Sequence, residues 1–278
     1  RSSDLPESAA VNESVKLAKK LTRGLSGFVN AILRSVIREQ DSIGIEDLAA
    51  NDIEVISFIY NIPLWLINLW ISEFGRDKTE DLCAWFNEQP KLTARINTIL
   101  IDIPQCLTML NEQGWAVTQD SNYEDIIYIN SHRGSLEKSE AFIKGYITFM
   151  DKASMLVARL VNPQPGERIL DCCAAPGGKS MYMAALMNNV GSLMSCDIHE
   201  HKIELMNSNA ERLGASIVHT KVQDATKLPD SWNSYFDRVL VDAPCSGLGI
   251  LQKKLDMRWR KQESILRELP PLQLAILE

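Results

Sequence analysis

The chain has 278 residues, of which 45% are hydrophobic and 23% are charged, and its formal net charge is −7. This length allows two or three compact units with sizeable cores, and the composition is that of an ordinary globular protein. No uninterrupted apolar run approaches bilayer length and the first residues resemble no secretory signal, so we expect a cytoplasmic monomer without a membrane span. The negative charge argues against a surface coated in positive charge for nonspecific nucleic-acid binding, but it allows a local basic track.

The six cysteines show no regular framework, and we interpret them as reduced thiols. The adjacent pair Cys172-Cys173 would point to opposite faces of a strand and would chelate a metal poorly. The four histidines form no spaced ligand set with the cysteines. We therefore predict no metal site.

The first third of the chain shows helical periodicity. Apolar residues between positions 10 and 39 predict two amphipathic helices broken near Gly24. A further helical region is predicted from 46 to 87, with Pro63 in an early helical turn and Gly75 as a stop. We predict core positions for three tryptophans of this region, Trp65, Trp70 and Trp85.

After Pro90 the pattern changes to short alternating pieces. LTARINTI, WAVTQD and IIYIN are strand-like, and IPQCLTMLNEQG is helix-like, which predicts a small α+β module. The changes in pattern predict three domains, residues 1–45, 46–145 and 146–278.

From about Gly145 strands and helices alternate. Four short apolar runs, 168–171, 192–197, 216–224 and 236–242, are separated by helix-like stretches. This rhythm predicts an α/β fold, a parallel sheet covered by helices, as in Rossmann-like domains.

Each predicted strand of this sheet closes on an aspartate. A single such residue is more often a helix cap or turn former. The carboxyl ends of parallel strands line one edge of the sheet, and ligands bind there. Four strands in succession that each end on an aspartate therefore predict one acidic site. The four residues are Asp171, Asp197, Asp224 and Asp242.

A glycine-containing loop, AAPGGKS, follows the first of these strands. It is not a P-loop, because the first glycine of that motif would fall at Cys173, and it lacks the three-glycine dinucleotide fingerprint. Asp197 lies 19 residues after Gly178, close to the spacing at which an acidic residue binds ribose hydroxyls. Without a phosphate cradle, the adenosine-bearing cofactor that suits an acidic edge is the cationic S-adenosylmethionine, with Asp224 placed to meet the adenine.

The fourth strand continues into a Pro-Cys sequence at Pro244-Cys245. We expect the Cys245 thiol to face the site rather than the core. A thiolate there would suit pyrimidine chemistry, because cytosine C5 is a poor nucleophile until a thiolate adds at C6.

The densest basic stretch, KKLDMRWRK, follows directly and has an aromatic ring among its cations. We predict that it borders an RNA channel, and its alternative is a solvated helix face. The predicted RNA-binding residues are Lys253, Lys254, Arg258, Arg260 and Lys261.

In this order, DCCAAPGGKS, CDIHEHKIELMNSNAERLG, QDATKLP and DRVLVDAPCSGLGIL resemble successive motifs of the Sun/Fmu/RsmB family of RNA 5-methylcytosine methyltransferases. The segments NIPLWLINLWISEFG, QPKLTARINTI and GYITFMDKASMLVARLVNPQPGERILD resemble the family's connecting domain. We predict a helical and α+β connecting domain over residues 46–145. AVNESVKLAKKL with GFVNAILRSVIRE resembles the end of a NusB-like RNA-binding domain, residues 1–45, that marks the enzyme of bacterial 16S ribosomal RNA. The resemblance thus covers nearly the whole chain.

The resemblance implies roles for the site residues. Asp197 would bind the ribose of S-adenosylmethionine, Asp224 the adenine, and Asp242 would contact a single-stranded or flipped target cytosine as well as the cofactor. The loop around the methionine part of the cofactor would consist of Cys173, Ala174, Ala175, Pro176, Gly177, Gly178 and Lys179.

Two departures from the family pattern are Leu255, where a proline is usual, and Met150, where a glutamine is usual. The family's nucleophilic cysteine lies in a Thr-Cys-Ser motif that this sequence does not contain, so we expect a part of a longer enzyme. In the RNA family the Pro-Cys cysteine assists product release, whereas in DNA cytosine-C5 methyltransferases it is the nucleophile. We favour release for Cys245.

Two other functions compete with this hypothesis. A catalytically silent RNA-binding or ribosome-assembly protein could keep the cofactor fold as a scaffold. A nicotinamide-dependent dehydrogenase is disfavoured, because the dinucleotide fingerprint is absent.

Overall fold

The computed structural model describes residues 6–21, 24–39 and 51–278. The chain divides into two compact units, Arg1–Asn87 and Glu88–Glu278. The predicted boundary near 45 lies outside the described residues, and the structure divides the chain after Asn87.

The described part of the first unit is helical, as predicted. Gly75, with φ of 82°, follows helix α4 (Leu64–Phe74) and confirms the predicted stop. Pro63 is the N-cap residue before this helix rather than part of its first turn. Arg23, in the predicted break, lies outside the described residues, as does the segment from 46 to 50. The helices are α1 (Glu7–Leu21), α2 (Ser26–Glu39), α3 (Asp52–Tyr60), α4 (Leu64–Phe74) and α5 (Arg76–Asn87).

The tryptophans of the first unit differ in burial. Trp70 is buried and stacks on Phe86, with ring centroids 5.4 Å apart, which confirms its predicted core position. Trp65 is half-buried. Trp85 is 46% exposed and meets Phe86 edge-on, so the predicted core position is wrong for this residue. Trp85 lies on α5, whereas Trp65 and Trp70 lie on α4.

Within the described residues, no single helix is long and apolar enough to cross a membrane. Helices α3 and α4 pass that test of length and composition only as a pair, bent by 112°.

The second unit begins with the predicted α+β module. Its antiparallel sheet has the strand order β2-β3-β1-β4 and packs on α6, with Ile96, Leu110, Trp115 and Ile147 in the core. β4 lies beyond residue 145, so the sheet extends past the predicted domain boundary. The elements are β1 (Leu92–Ile96), α6 (Ile103–Glu112), β2 (Ala116–Gln119), β3 (Ile126–Ser131), α7 (Glu140–Ile143) and β4 (Ile147–Phe149).

The rest of the second unit contains the predicted parallel sheet, with the order β7-β6-β5-β8. The order reverses beside β5, and this is where α/β sheets bind ligands. The strands are β5 (Arg168–Asp171), β6 (Ser192–Asp197), β7 (Val218–Val222) and β8 (Arg238–Leu240). The helices are α8 (Lys152–Leu160), α9 (Gly178–Leu186), α10 (Glu200–Arg212), α11 (Met257–Arg260) and α12 (Ile265–Leu277).

Two of the four predicted strands are shorter than expected. β7 ends at Val222 and β8 at Leu240, so Asp224 and Asp242 each lie two residues beyond a strand. Their side chains therefore stand in loops at the carboxyl edge of the sheet, whereas Asp171 and Asp197 end their strands.

Candidate cofactor site

The loop after β5 turns sharply into α9. The Ala174 N–H donates to the carbonyl of Cys196 on β6 at 2.7 Å, and the peptide bond before Pro176 is cis. Gly177 has φ of 96°, and a Cβ at this position would lie 3.2 Å from Met181 and 3.3 Å from Met206. Only glycine suits this position, because other residues strain in the left-handed region. The backbone therefore runs close over the end of β6.

A cleft lies at the carboxyl edge of the parallel sheet. It brings together one residue of the predicted cofactor loop, Cys173, with the predicted ribose and adenine residues, Asp197 and Asp224. Other residues that line it are Cys172, Ile198, His199, Lys202, Gln223, Ala225, Thr226, Pro244, Leu272 and Ile276.

Asp197 is the more buried of the two cleft aspartates. Its Oδ1 accepts the backbone N–H of His199 at 3.0 Å and lies 3.3 Å from the Lys202 ammonium. The side chain is only 9% exposed. These contacts hold the carboxylate at the end of β6, facing the cleft.

Asp224 is fixed by its own loop. Its Oδ1 accepts hydrogen bonds from the Thr226 hydroxyl at 2.7 Å and from the Thr226 backbone N–H at 2.9 Å. These bonds lower the pKa of Asp224, so the group is ionised at neutral pH. The loop thus presents a negative charge of defined orientation beside β7.

Asp171 is the most deeply buried of the four predicted aspartates, and the other three have exposed surface or line the cleft. It is 1% exposed, and its Oδ2 accepts a hydrogen bond from Ser180 of α9 at 2.7 Å. Burial raises its pKa to about 6. The predicted convergence of four carboxylates on one surface is therefore wrong for Asp171, because the start of α9 covers it.

Asp242 pairs with the cofactor loop. Its carboxylate lies 2.6 Å from the Lys179 ammonium, in the first turn of α9, while its own side chain stays 47% exposed. The ion pair joins the loops that follow β5 and β8. Asp242 thus stands at the same edge as the cleft, with exposed surface for a further contact.

Of the six cysteines, only Cys245 is exposed. The adjacent Pro244 lines the cleft, and its carbonyl accepts the Gln273 side-chain amide of α12 at 2.9 Å. By contrast, burial and the neighbouring aspartates raise the pKa of Cys173 to about 11. Cys245, beside the cleft, is therefore the most solvent-accessible thiol at this edge of the sheet.

The basic stretch divides into exposed and buried cations. Lys254 and Arg260 are exposed, and Arg260 lies 3.4 Å from Asp256. Lys253 is exposed and pairs with Asp151 at the start of α8. Lys261 is half-buried.

Arg258 is the exception within this stretch. It is 1% exposed, and its Nε donates to the carbonyl of Leu251 at 3.3 Å. A guanidinium in this position anchors α11 to the preceding turn. Its predicted role as an RNA contact is not supported, because the group is covered.

The sequence reasoning missed the contribution of α12 to the cleft, where Leu272 and Ile276 form part of the lining. The signal was hidden by Pro270 and Pro271, which stand inside this helix although proline usually ends one. Lys202 and Thr226, which orient the two aspartates, were also missed. Both lie within four or five residues of the strand ends, so local spacing offered a signal for them.

Three family models match the chain. 16S rRNA methyltransferase RsmB/F matches residues 158–278, an RsmF/B-like methyltransferase ferredoxin-like domain matches 62–134, and the NusB family matches 1–38. A curated relative from Bacillus subtilis (strain 168), described as probable ribosomal RNA small subunit methyltransferase B, is 36% identical over 275 residues. The match covers 98% of this chain and 61% of the relative, so the chain spans about three fifths of the relative's length.

Solved structures share the architecture. The crystal structure of PH0851 superposes with a TM-score of 0.83 at 28% identity, over 94% of this chain and 58% of that one. The structure of NSun6 from Pyrococcus horikoshii with SFG has a TM-score of 0.70 at 20% identity, over 77% of this chain and 78% of the other, and shows a common fold. The family resemblance and the fold class predicted from the motifs are confirmed. Because the family models and the Bacillus relative agree, we conclude that the chain belongs to the RsmB/F family of methyltransferases.

Proposed function

We propose that this chain binds S-adenosylmethionine in the cleft and forms the cofactor-binding part of an enzyme that methylates C5 of a cytosine in 16S ribosomal RNA. The observation that carries the proposal is the placement of Asp197 and Asp224, from adjacent strands, in one cleft beside the loop after β5. An acidic cleft without a phosphate cradle suits a cationic nucleoside. The curated relative's name supplies ribosomal RNA as the substrate class. A substrate of this class would be met in the cytoplasm, the predicted compartment.

The cleft offers a distinct contact for each part of the cofactor. Asp197, held by His199 and Lys202, would accept hydrogen bonds from the ribose hydroxyls. Asp224, fixed by Thr226, would meet the adenine. The loop from Cys173 to Lys179 would surround the methionine part, and its backbone comes close because Gly177 has no side chain.

The neighbouring loop offers groups for the cytosine. Asp242 keeps exposed surface while it pairs with Lys179, and Cys245 presents the exposed thiol of this edge. Both side chains act only on a base that has left its stack, so the target would be single-stranded or flipped. Methylation at C5 requires that a thiolate adds to C6, that C5 then takes the methyl group, and that loss of the C5 proton expels the thiolate.

The role of Cys245 in this sequence of steps is product release. On this proposal the attacking thiolate comes from a Thr-Cys-Ser motif elsewhere in the protein, as the family resemblance implies. Cys245 then acts after methyl transfer, when the adduct is resolved.

A covalent adduct tests this assignment. In the complete enzyme, Cys245→Ala should accumulate a covalent complex with undermodified 16S ribosomal RNA in the presence of cofactor, because attack is intact while elimination is slow. Denaturing gels separate the adduct from free protein. Cys106→Ala is the control, because burial raises the pKa of this thiol to about 11 and keeps it from reacting at neutral pH.

The outcomes are distinct. If Cys245→Ala forms no adduct while the wild-type enzyme traps one, Cys245 is the nucleophile and the release assignment is wrong. If neither protein forms an adduct and ribosomal RNA keeps its 5-methylcytosine when the gene is deleted, the chain belongs to a silent RNA-binding protein instead.

A further inference from the structure

A buried polar cluster connects the α+β module with the helix that follows the cofactor loop. Tyr182 of α9 donates its hydroxyl proton to Asp125 at 2.7 Å. Arg159 of α8 donates to the Tyr182 oxygen at 2.6 Å and to the other oxygen of Asp125 at 2.5 Å. Three hydrogen bonds thus close a ring among three elements. Together with Arg95, these residues are called the α9 cluster.

Arg95 completes the cluster from β1. It is fully buried, and its guanidinium carbon lies 5.2 Å from the centroid of the Tyr182 ring. Among the described residues, none of its three side-chain nitrogens has a hydrogen-bond partner. Burial lowers its pKa to about 10, so it remains a cation at neutral pH, and desolvation strengthens its attraction to the ring. Tyr182 is therefore held by its hydroxyl and by its ring.

The Met150 side chain lies close to the backbone one turn earlier on the same helix. A Cβ at Gly178, the first residue of α9, would lie 3.7 Å from the sulfur of Met150. Met150 is in turn fixed to β1, because the Thr93 hydroxyl donates to its carbonyl at 2.6 Å. The first and second turns of α9 thus both rest on the α+β module.

The module itself is fixed to the parallel-sheet part at a separate point. The buried Asn97 amide donates to the carbonyl of Gly145 within the module and to that of Leu213, which follows α10, both at 2.9 Å. A Cβ at Gly145 would meet the Arg212 carbonyl oxygen at 2.0 Å, so the two backbones are in direct contact. A support anchored in this way can hold a helix in place rather than move with it.

We infer that the α9 cluster positions the cofactor loop, so that cofactor binding depends on the α+β module although no member of the cluster lines the cleft. The identity of the ligand rests on the proposed function. Arg95, Asp125, Arg159 and Tyr182 are positioning residues, since they act through α9 and its ion pair between Lys179 and Asp242.

The chain contains a matched control for this inference. Tyr128 of β3 donates its hydroxyl proton to Asp120 at 2.7 Å, the same bond at the same length as the one from Tyr182 to Asp125. Neither Tyr128 nor Asp120 lies on α9. Tyr182→Phe and Tyr128→Phe each remove one hydroxyl and keep the ring, so a difference between them reports the link to α9.

The experiment measures hydrogen exchange of α9 amides without cofactor and the dissociation constant for S-adenosylmethionine. Tyr182→Phe should speed exchange over Gly178–Leu186 and weaken binding by roughly 2- to 30-fold, the range for residues that act on a site through a network. Tyr128→Phe should leave both unchanged. Should Tyr182→Phe fail to fold, Asp125→Asn against Asp120→Asn gives the same comparison.

Equal exchange over α9 in Tyr182→Phe and wild type would overturn the inference, as would equal acceleration in Tyr128→Phe. A loss of melting temperature with unchanged exchange and unchanged affinity would mean that the cluster serves stability alone. If the wild-type chain does not bind S-adenosylmethionine, the proposed function fails, and the exchange comparison still decides the positioning role.

Discussion

Asp171 and Asp197 end neighbouring strands, yet their carboxylates have different surroundings. Asp197 faces the cleft beside Lys202, whereas Asp171 is covered by α9 and bonded to Ser180. The carboxylate of Asp171 loses hydration by burial, and this outweighs the favourable effects of Ser180 and Lys179 on its charged form. The same residue type at equivalent positions thus has two environments, one at the cleft and one buried beneath α9.

The environment of Asp171 predicts a pH dependence of stability. Its pKa rises from 3.8 to about 6 on folding, so the folded protein binds a proton more tightly than the unfolded chain does. The contribution of this group to the free energy of unfolding is present in full below about pH 4. It falls as pH rises to about 6, and the total loss is at most about 3 kcal/mol. Asp171→Asn, which stays neutral, should remove that loss.

Melting temperatures of the wild type and Asp171→Asn between pH 4 and pH 7 check this expectation. Asp237→Asn, at the amino end of β8, is the control. It also replaces an aspartate that accepts one hydrogen bond, from the Arg168 N–H at 2.7 Å. A difference between wild type and Asp171→Asn that stays constant with pH would show that Asp171 is ionised throughout.

Individual residues differ in how far the sequence predicts them. Asp197 and Asp224 were predictable, because strand ends and spacing fix their place relative to the loop after β5. The burial of Asp171 and Arg258 was not predictable, because it depends on how helices pack in the folded structure, and no local sequence pattern shows this. Arg95 was not singled out for the same reason. It lies in an ordinary strand pattern, and its burial beside Tyr182 arises only in the tertiary structure.

At the scale of elements, α11 and the turn before it determine which cations of the basic stretch are exposed. Arg258 points inward and holds α11 to Leu251, while Lys254 and Arg260 stay exposed. Trp259, 59% exposed, lies between the buried and the exposed arginine. The stretch is therefore neither a uniformly solvated face nor a uniformly basic one.

Charge reversal separates these roles. Lys254→Glu with Arg260→Glu should weaken RNA binding and reduce the salt slope of log K by about 1.4, about 0.7 for each lost phosphate contact to a single strand. Arg258→Met should instead lower the melting temperature, because the variant loses the hydrogen bond to Leu251. Filter binding at several salt concentrations measures the slope, with the exposed Lys138→Glu as a control for charge alone. An unchanged slope in the double variant would make the stretch a solvated surface.

The elements also show where sequence patterns are sufficient. The four strands of the α/β part were predicted because apolar runs alternate with amphipathic stretches, but β7 and β8 each begin two residues later and end two residues earlier than predicted. α12 was missed because two prolines interrupt its pattern, and its packing against the cleft through Ile276 overrides that local preference.

At the scale of the whole molecule, the second unit combines two sheets that are joined by buried polar contacts at the α9 cluster and at Asn97. The antiparallel sheet supports α9 through the α9 cluster, and the parallel sheet presents the cleft at its carboxyl edge. Family membership follows from matches along nearly the whole chain. The substrate class is proposed from the curated relative's name, and the place of the cofactor is proposed from the cleft.

The central claim is that this cleft binds S-adenosylmethionine. Calorimetry of the chain with this cofactor should show one site, and Asp197→Ala should raise the dissociation constant roughly 10- to 150-fold, the equivalent of about 1.5–3 kcal/mol for hydrogen bonds to a charged group. Asp237→Ala, at the opposite edge of the same sheet, should bind as the wild type does. Wild-type binding that Asp197→Ala leaves unchanged would contradict the ribose assignment, and the absence of any binding to the wild-type chain would contradict the claim itself.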